Sequence, residues 1–208
     1  MPEAKPKAKM RKQYRDLRSR VVPAARHEAA VAAASLLIRH PLFKTSKHIA
    51  VYLSLKDEFD SATVIEAVWK AKKICYIPVL AEREDDPRHK DQNYLRFARY
   101  EYGDPLHMNR YSILEPANLK HEIKPEGLDL VILPLLAFDR RGHRMGTGGG
   151  YYDRTFEFQH GVLYDDPNKK PKLLGLGYAA QEAENLPADS WDLTLDGVIT
   201  EKEIISCF

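Results

Sequence analysis

LPLLAFDRRGHRMGTGGGYYDRTFE, residues 133–157, is the stretch on which the reading of this chain turns. Its first residues complete an apolar strand running from Leu128 to Pro134. Its middle is rich in glycine, and its end carries the spacing of a helix from Gly150 to Phe158. Strand, glycine turn and helix in direct succession belong to an α/β fold, and they bring backbone N–H groups to a point where an anion can meet them. Gly146, Gly148, Gly149 and Gly150 have no β-carbon to hold a phosphate away from their amides. Arg144, at the mouth of the turn, adds a charge-assisted donor, and the helix start adds a partial positive charge. On the glycines alone, a tight strand-to-helix turn is an equal reading. The segment is neither a P-loop, since no Lys-Ser/Thr pair follows the glycines, nor the dinucleotide fingerprint with its later acidic residue.

Outward from this segment the alternation repeats. Strands are expected over His48–Leu53, Lys73–Val79, Leu173–Tyr178 and Gly197–Thr200, with a helix over Ser61–Lys72. The strands are apolar throughout, as a sheet covered on both faces requires. Met10, Tyr14, Leu17 and Val21 recur at helical spacing near the start, beside a cationic stripe of Lys7, Arg11, Arg15 and Arg18. Pro23 interrupts this helix, and an alanine-rich helix follows from Ala24 to Ile38. The polar stretches Ala81–Asn93 and Gly161–Lys172 lack periodicity and are expected as surface loops. A chain of 208 residues fits a single domain, 1–208, around one core.

Composition narrows the function. Thirty-two basic residues against 30 acidic ones leave a formal charge of +2, too weak a field for a dedicated nucleic-acid binder. Hydrophobic residues make up 44% and the mean hydropathy is −0.48, values of a globular chain. The longest apolar stretch, Leu128–Phe138, contains Asp129 and Pro134 and falls far short of the ~20 residues of a bilayer span. The charged opening has no apolar stretch behind it, so neither a secretory nor a mitochondrial leader fits, and a cytoplasmic location is expected. Cys75 and Cys207 are too few for a disulfide framework, and Cys75 is expected in the core. The eight histidines form no metal-ligand spacing, and no Gly-x-Ser-x-Gly elbow is present.

Residues 137–155, AFDRRGHRMGTGGGYYDRT, resemble the signature of the 5-formyltetrahydrofolate cyclo-ligase family, also called methenyltetrahydrofolate synthetases. The resemblance extends to the Lys-x-x-x-Arg pair Lys7 and Arg11, to YLSLKDEFD at 52–60, to KICYIPV at 73–79 and to WDLTLDGVIT at 191–200. It implies a three-layer α/β/α fold with a mostly parallel sheet. It also implies an enzyme that uses ATP and Mg2+ to close the formyl group of 5-formyltetrahydrofolate into 5,10-methenyltetrahydrofolate.

The resemblance assigns roles residue by residue. Lys7 and Arg11, four positions apart on one helix edge, match the family's ATP-binding pair; from spacing alone a solvated basic face is the preferred reading. Arg144, Gly146, Gly148, Gly149, Gly150, Tyr151 and Tyr152 join them at the nucleotide, with Arg144 and Tyr152 as the catalytic candidates. Leu53 and Glu58, with Gly148, Tyr151 and Tyr152, match the folate side, where a carboxylate can accept N–H donors of the reduced pterin. Asp153 and Asp196 match the metal carboxylates, and magnesium favours hard oxygen ligands of this kind. Some relatives carry lysine at Gly149, so Lys7, Arg11 and Arg144 are expected to supply the cations here. Trp191 is left outside the main site. The expected partners are small molecules, with no nucleic acid and no membrane, and the expected state is a monomer. The competing reading is a non-catalytic nucleotide- or RNA-binding module on the same scaffold.

Overall fold

Strands that are apolar on both sides of the pleat need cover on both faces, and that requirement organises the molecule. The computed structural model describes residues 5–81, 94–109, 112–119, 121–160 and 171–207. The chain opens with α1 (Lys5–Ser19), α2 (Pro23–Leu37) and the short α3 (Pro41–Thr45). It continues through β1 (His48–Val51), α4 (Ala62–Lys70), β2 (Ile74–Leu80) and β3 (Leu95–Arg99). A small hairpin, β4 (Leu106–Met108) and β5 (Leu114–Pro116), precedes β6 (Glu122–Ile123) and β7 (Leu130–Pro134). A second hairpin, β8 (Ala137–Phe138) and β9 (Arg144–Met145), leads through the glycines to α5 (Tyr151–Thr155). The chain closes with β10 (Lys172–Leu176), β11 (Gly197–Ile199) and β12 (Ile204–Ser206).

Eight strands form the main sheet in the order β12-β11-β10-β7-β1-β2-β3-β6. The five central strands run parallel, and β12, β3 and β6 add antiparallel edges. Alternation along the strands feeds two cores. Ile49, Val51, Leu130 and Ile132 point to the face covered by α2 and α4. Ala50, Val131, Leu133 and Leu173 point to the other, against Phe156 and the segment Leu193–Leu195. On α2 the buried positions are Ala29, Ala30, Ala33, Ala34 and Leu37. Four methyl side chains let that helix lie close to the sheet and to α4. The expected α/β/α architecture with a mostly parallel sheet is therefore the one observed.

Three local differences have physical causes. The helix expected over Gly150–Phe158 stops at Thr155 and resumes as a 3-10 turn at Glu157–Gln159, because Phe156 is drawn completely into the core between them. The antiparallel edge strands β3, β6 and β12 were not among the expected strands; β6 and β12 have only two and three residues. Of the two expected loops, most residues fall outside those described, and Lys172 belongs instead to β10. Cys75 is buried in the core as expected, and burial pushes its thiol up to about 12. Among the described residues no helix is long and apolar enough to cross a membrane.

Candidate active site

Asp139 shapes the turn that delivers Arg144. Its carboxylate, wholly buried, accepts the N–H groups of Arg141 (3.0 Å), His143 (3.1 Å) and Leu186 (3.1 Å), and the Arg141 guanidinium at 2.7 Å. So many donors on one side chain fix the β8–β9 turn, and the acid-and-arginine part of the signature is accounted for structurally. Arg144 then leaves β9 with its side chain 5% exposed, donating from Nη2 to Oδ1 of Asp153 at 2.7 Å. Its guanidinium carbon lies 5.7 Å from the centre of the Tyr152 ring. The buried Nε has no hydrogen-bond partner among the described residues.

The glycine loop is held from α1. Arg11 donates from Nε to the carbonyl oxygen of Gly146 at 2.8 Å. Gly148 has φ +109°, and a β-carbon there would sit 3.6 Å from the Arg11 guanidinium carbon. Gly150, at φ +65°, starts α5 in the left-handed region, where an L side chain is strained. Gly149 lies between them, its carbonyl accepting from Arg154. Because α5 has only five residues, its dipole adds little, and the guanidinium groups at the loop are those of Arg11, Arg144 and Arg154. Tyr151 faces Arg154, whose guanidinium carbon is 6.0 Å from its ring centre.

Glu58 is nine-tenths buried beyond the end of β1, its Oε2 accepting the Leu55 N–H at 3.1 Å. Burial raises its carboxyl above the usual range, and the Leu55 N–H and the charge of Arg18 oppose that rise. Burial likewise raises the Tyr152 phenol strongly; Glu58 adds to the rise and Arg144 opposes it. Glu58, Tyr152 and Arg144 thus share one electrostatic environment, and contacts join it to Asp153. Leu53 is half-buried against the core cluster next to this loop.

Lys7 and Asp196 each have protein partners of their own. Lys7 donates to Oδ2 of Asp189 at 2.6 Å and to Oδ2 of Asp192 at 2.9 Å. Burial alone would lower its ammonium, but those hydrogen bonds hold it above the ordinary lysine value. Asp196 is 2% exposed just ahead of β11, with Oδ2 accepting the Leu173 N–H at 2.8 Å and Oδ1 3.6 Å from Nζ of Lys172. It therefore lies at the amino ends of β10 and β11, whereas Leu53 and Glu58 follow the carboxyl end of the parallel strand β1. Among the described residues no three His, Cys, Asp or Glu side chains are grouped to hold a metal.

The sequence reading missed Arg18, Tyr52 and Tyr178. Arg18 is 6% exposed and donates from Nη1 to the carbonyl oxygen of Leu135 at 3.3 Å. A signal was available: Arg18 lies one turn after Tyr14, the buried residue of α1, and so falls on the inward face rather than in a solvated stripe.

The model of the 5-formyltetrahydrofolate cyclo-ligase family matches residues 3–201. A 5-formyltetrahydrofolate cyclo-ligase of Haemophilus influenzae is 32% identical over 191 residues, covering 91% of this chain and 95% of that protein. One of Escherichia coli is 33% identical over 192 residues, covering 91% and 97%. The NMR structure of Aquifex aeolicus 5,10-methenyltetrahydrofolate synthetase superposes with a TM-score of 0.78 at 28% identity, covering 97% of this chain and 92% of that one.

Proposed function

The chain belongs to the 5-formyltetrahydrofolate cyclo-ligase family, and on that premise we propose that it uses ATP to convert 5-formyltetrahydrofolate into 5,10-methenyltetrahydrofolate, releasing ADP and phosphate. A formamide is a poor electrophile, and its oxygen must become a leaving group before the ring can close. In the proposed sequence the formyl oxygen attacks the γ-phosphorus and ADP leaves. The bridge amine N10 then attacks the imidoyl carbon and gives up its proton, and the C–O bond breaks as phosphate departs. Such chemistry asks the protein for cations and in-line positioning more than for a covalent partner.

The observation that carries the proposal is the continuous run of contacts from Arg11 and Gly146 to Arg144, Asp153 and Tyr152, with Glu58 in the same field. Arg11, Lys7 and the amides of Gly146, Gly148, Gly149 and Gly150 would hold the triphosphate. Arg144 would meet the charge that develops on the transferred group, and the Tyr152 ring would support Arg144 and separate nucleotide from folate. Tyr151 would line the same junction. Glu58 would accept N–H donors of the pterin, with Leu53 against its ring.

Magnesium, expected with the triphosphate, would neutralise phosphate charge when bound. Asp153 fits as one of its carboxylates, being partly open and next to Arg144. Asp196 does not fit as the second in this conformation, since its oxygens face Leu173 N–H and Lys172 within the core. We therefore propose Asp153 alone as the protein's direct ligand, with phosphates and waters completing the shell. A non-catalytic RNA- or nucleotide-binding module draws no support from these contacts. The test is the absorbance of the methenyl product from 5-formyltetrahydrofolate with and without ATP; no ATP-dependent signal with magnesium present would defeat the proposal.

A further inference from the structure

Outside the residues assigned above, three buried polar atoms have no hydrogen-bond partner among the described residues: the acceptor Oε1 of Gln159 and two donors, Nε of Arg18 and the hydroxyl of Tyr178. An unsatisfied buried donor is costly, and a ligand that accepts from it removes that cost. Arg18 comes from α1 and Tyr178 from the turn after β10, yet both converge on the loop that carries Glu58. The Phe59 ring, next to Glu58, lies 4.6 Å from the Tyr178 ring. The Tyr52 hydroxyl donates to the Phe59 carbonyl oxygen at 2.7 Å, and the Ser61 hydroxyl donates back to the Tyr52 carbonyl oxygen at 2.6 Å. This loop is thus rigidly held, and Arg18 is near enough for its charge to lower the titration of Glu58, Tyr52 and Tyr178.

The chemistry of a reduced pterin suggests what the two donors meet. Along one edge of its pyrimidine ring stand two N–H donors, at the 2-amino group and N3, and directly beside them the acceptor O4. A carboxylate that takes the N–H donors leaves O4 at its flank, where only a hydrogen-bond donor satisfies it. We propose that Arg18 and Tyr178 are specificity-determining residues that donate to the 4-oxo oxygen of the pterin while Glu58 holds the adjacent N–H edge. This rests on the functional reading given above, and it adds to that reading a reason for the protein to prefer a 4-oxo over a 4-amino pteridine. Arg18 acts also as a positioning residue, since it supplies the counter-charge that favours the ionised form of buried Glu58. The other titratable groups in this field are Tyr52, at the end of β1, Tyr152 on α5, and Arg144, whose charge opposes the rise of the Tyr152 phenol.

The experiment measures binding of 5-formyltetrahydrofolate, and of a tetrahydropteroylglutamate carrying an amino group at position 4, to wild-type protein, Arg18→Gln and Tyr178→Phe. Arg18→Gln is expected to weaken the 4-oxo ligand roughly tenfold to a hundredfold and the 4-amino ligand less than about twofold. Tyr178→Phe is expected to weaken the 4-oxo ligand about three- to tenfold with thermal stability kept or raised, because it removes a buried hydroxyl that has no partner. The acid limb of kcat/KM in Arg18→Gln is expected to move to higher pH, a change that a purely structural role would not produce. Equal loss for both ligands, or unchanged binding in Tyr178→Phe, overturns the inference. If Arg18→Gln fails to fold, Tyr178→Phe decides by the same criterion. Wild-type protein that does not bind 5-formyltetrahydrofolate overturns the functional reading itself, a result distinguishable from a loss of selectivity alone.

Discussion

Nη2 of Arg144 lies 2.7 Å from Oδ1 of Asp153, and the same oxygen accepts the Leu193 N–H at 3.1 Å. One carboxylate oxygen therefore joins β9, α5 and the segment ahead of β11. Asp153→Asn would leave the buried Arg144 guanidinium without its counter-charge. Expected are a loss of turnover of about a hundredfold or more and a loss of stability of about 1.5–3 kcal/mol. Steady-state rates at saturating ATP and urea unfolding measure the two separately. Turnover near wild type would contradict the role given to this acid.

Asp196 predicts the opposite pattern. Its carboxylate satisfies the Leu173 N–H in a place with 2% exposure, so Asp196→Ala leaves a buried amide without an acceptor. A stability loss of about 1–3 kcal/mol is expected, with the magnesium concentration for half-maximal activity unchanged. A shifted magnesium requirement without any loss of stability would restore Asp196 as a metal ligand.

Gly148→Ala tests the cradle. At φ +109° an alanine is strained by about 1–3 kcal/mol, and its methyl group would sit against the Arg11 guanidinium. The loop should shift and KM for ATP should rise about tenfold or more, while KM for the folate changes less. Crystals or titrations showing unaltered ATP affinity would rule out close approach of phosphate at this residue.

Legibility in the sequence followed the range of the forces involved. Leu128–Pro134 announced a buried parallel strand because apolarity on both faces is a local property of its residues. The glycines from 146 to 150 announced a close backbone approach for the same reason. Arg18 was legible only in part: its spacing from Tyr14 puts it on the inward face of α1, but the acceptor it meets there, the Leu135 carbonyl oxygen, comes from a segment distant in sequence. Asp196 was hidden in another way: its partner, Leu173, is supplied by pairing of β10 with β11, a contact between strands distant in sequence. The early end of α5 was equally non-local, because the core space that takes Phe156 is lined by Phe97 from β3, with ring centres 5.8 Å apart.

Glu58 should exchange stability for function. Its carboxyl is raised by burial, so between the unfolded value and the folded one the native state binds more protons than the unfolded chain. Stability contributed by this group is therefore present at low pH and is lost as pH rises through the folded pKa. Glu58→Gln removes a charge that burial disfavours, and its amide oxygen can still accept the Leu55 N–H. The variant should melt a few degrees above wild type near neutral pH, with the gap closing toward about pH 4, while KM for the folate rises about tenfold or more. Melting curves across that range check the sign; a variant less stable than wild type at neutral pH would refute it.

Lys7 is the cation whose present partners argue for competition. Its ammonium bonds both Asp189 and Asp192, whose side chains are 43% and 26% exposed, so neither acid is confined as Asp196 is. A triphosphate that takes Lys7 must displace these carboxylates or draw the ammonium away from them, and their affinity for it subtracts from that of the nucleotide. The double variant Asp189→Asn with Asp192→Asn should therefore lower KM for ATP about two- to fivefold at low ionic strength, with kcat changed less than about twofold. Lys7→Met should raise KM for ATP about tenfold to a hundredfold and make it insensitive to the aspartate changes. Because Asp189 is well exposed, salt should narrow the difference between wild type and the double variant. A double variant with a higher KM for ATP would mean that these acids serve the nucleotide instead of competing with it, and that Lys7 is held by them in the loaded enzyme as well.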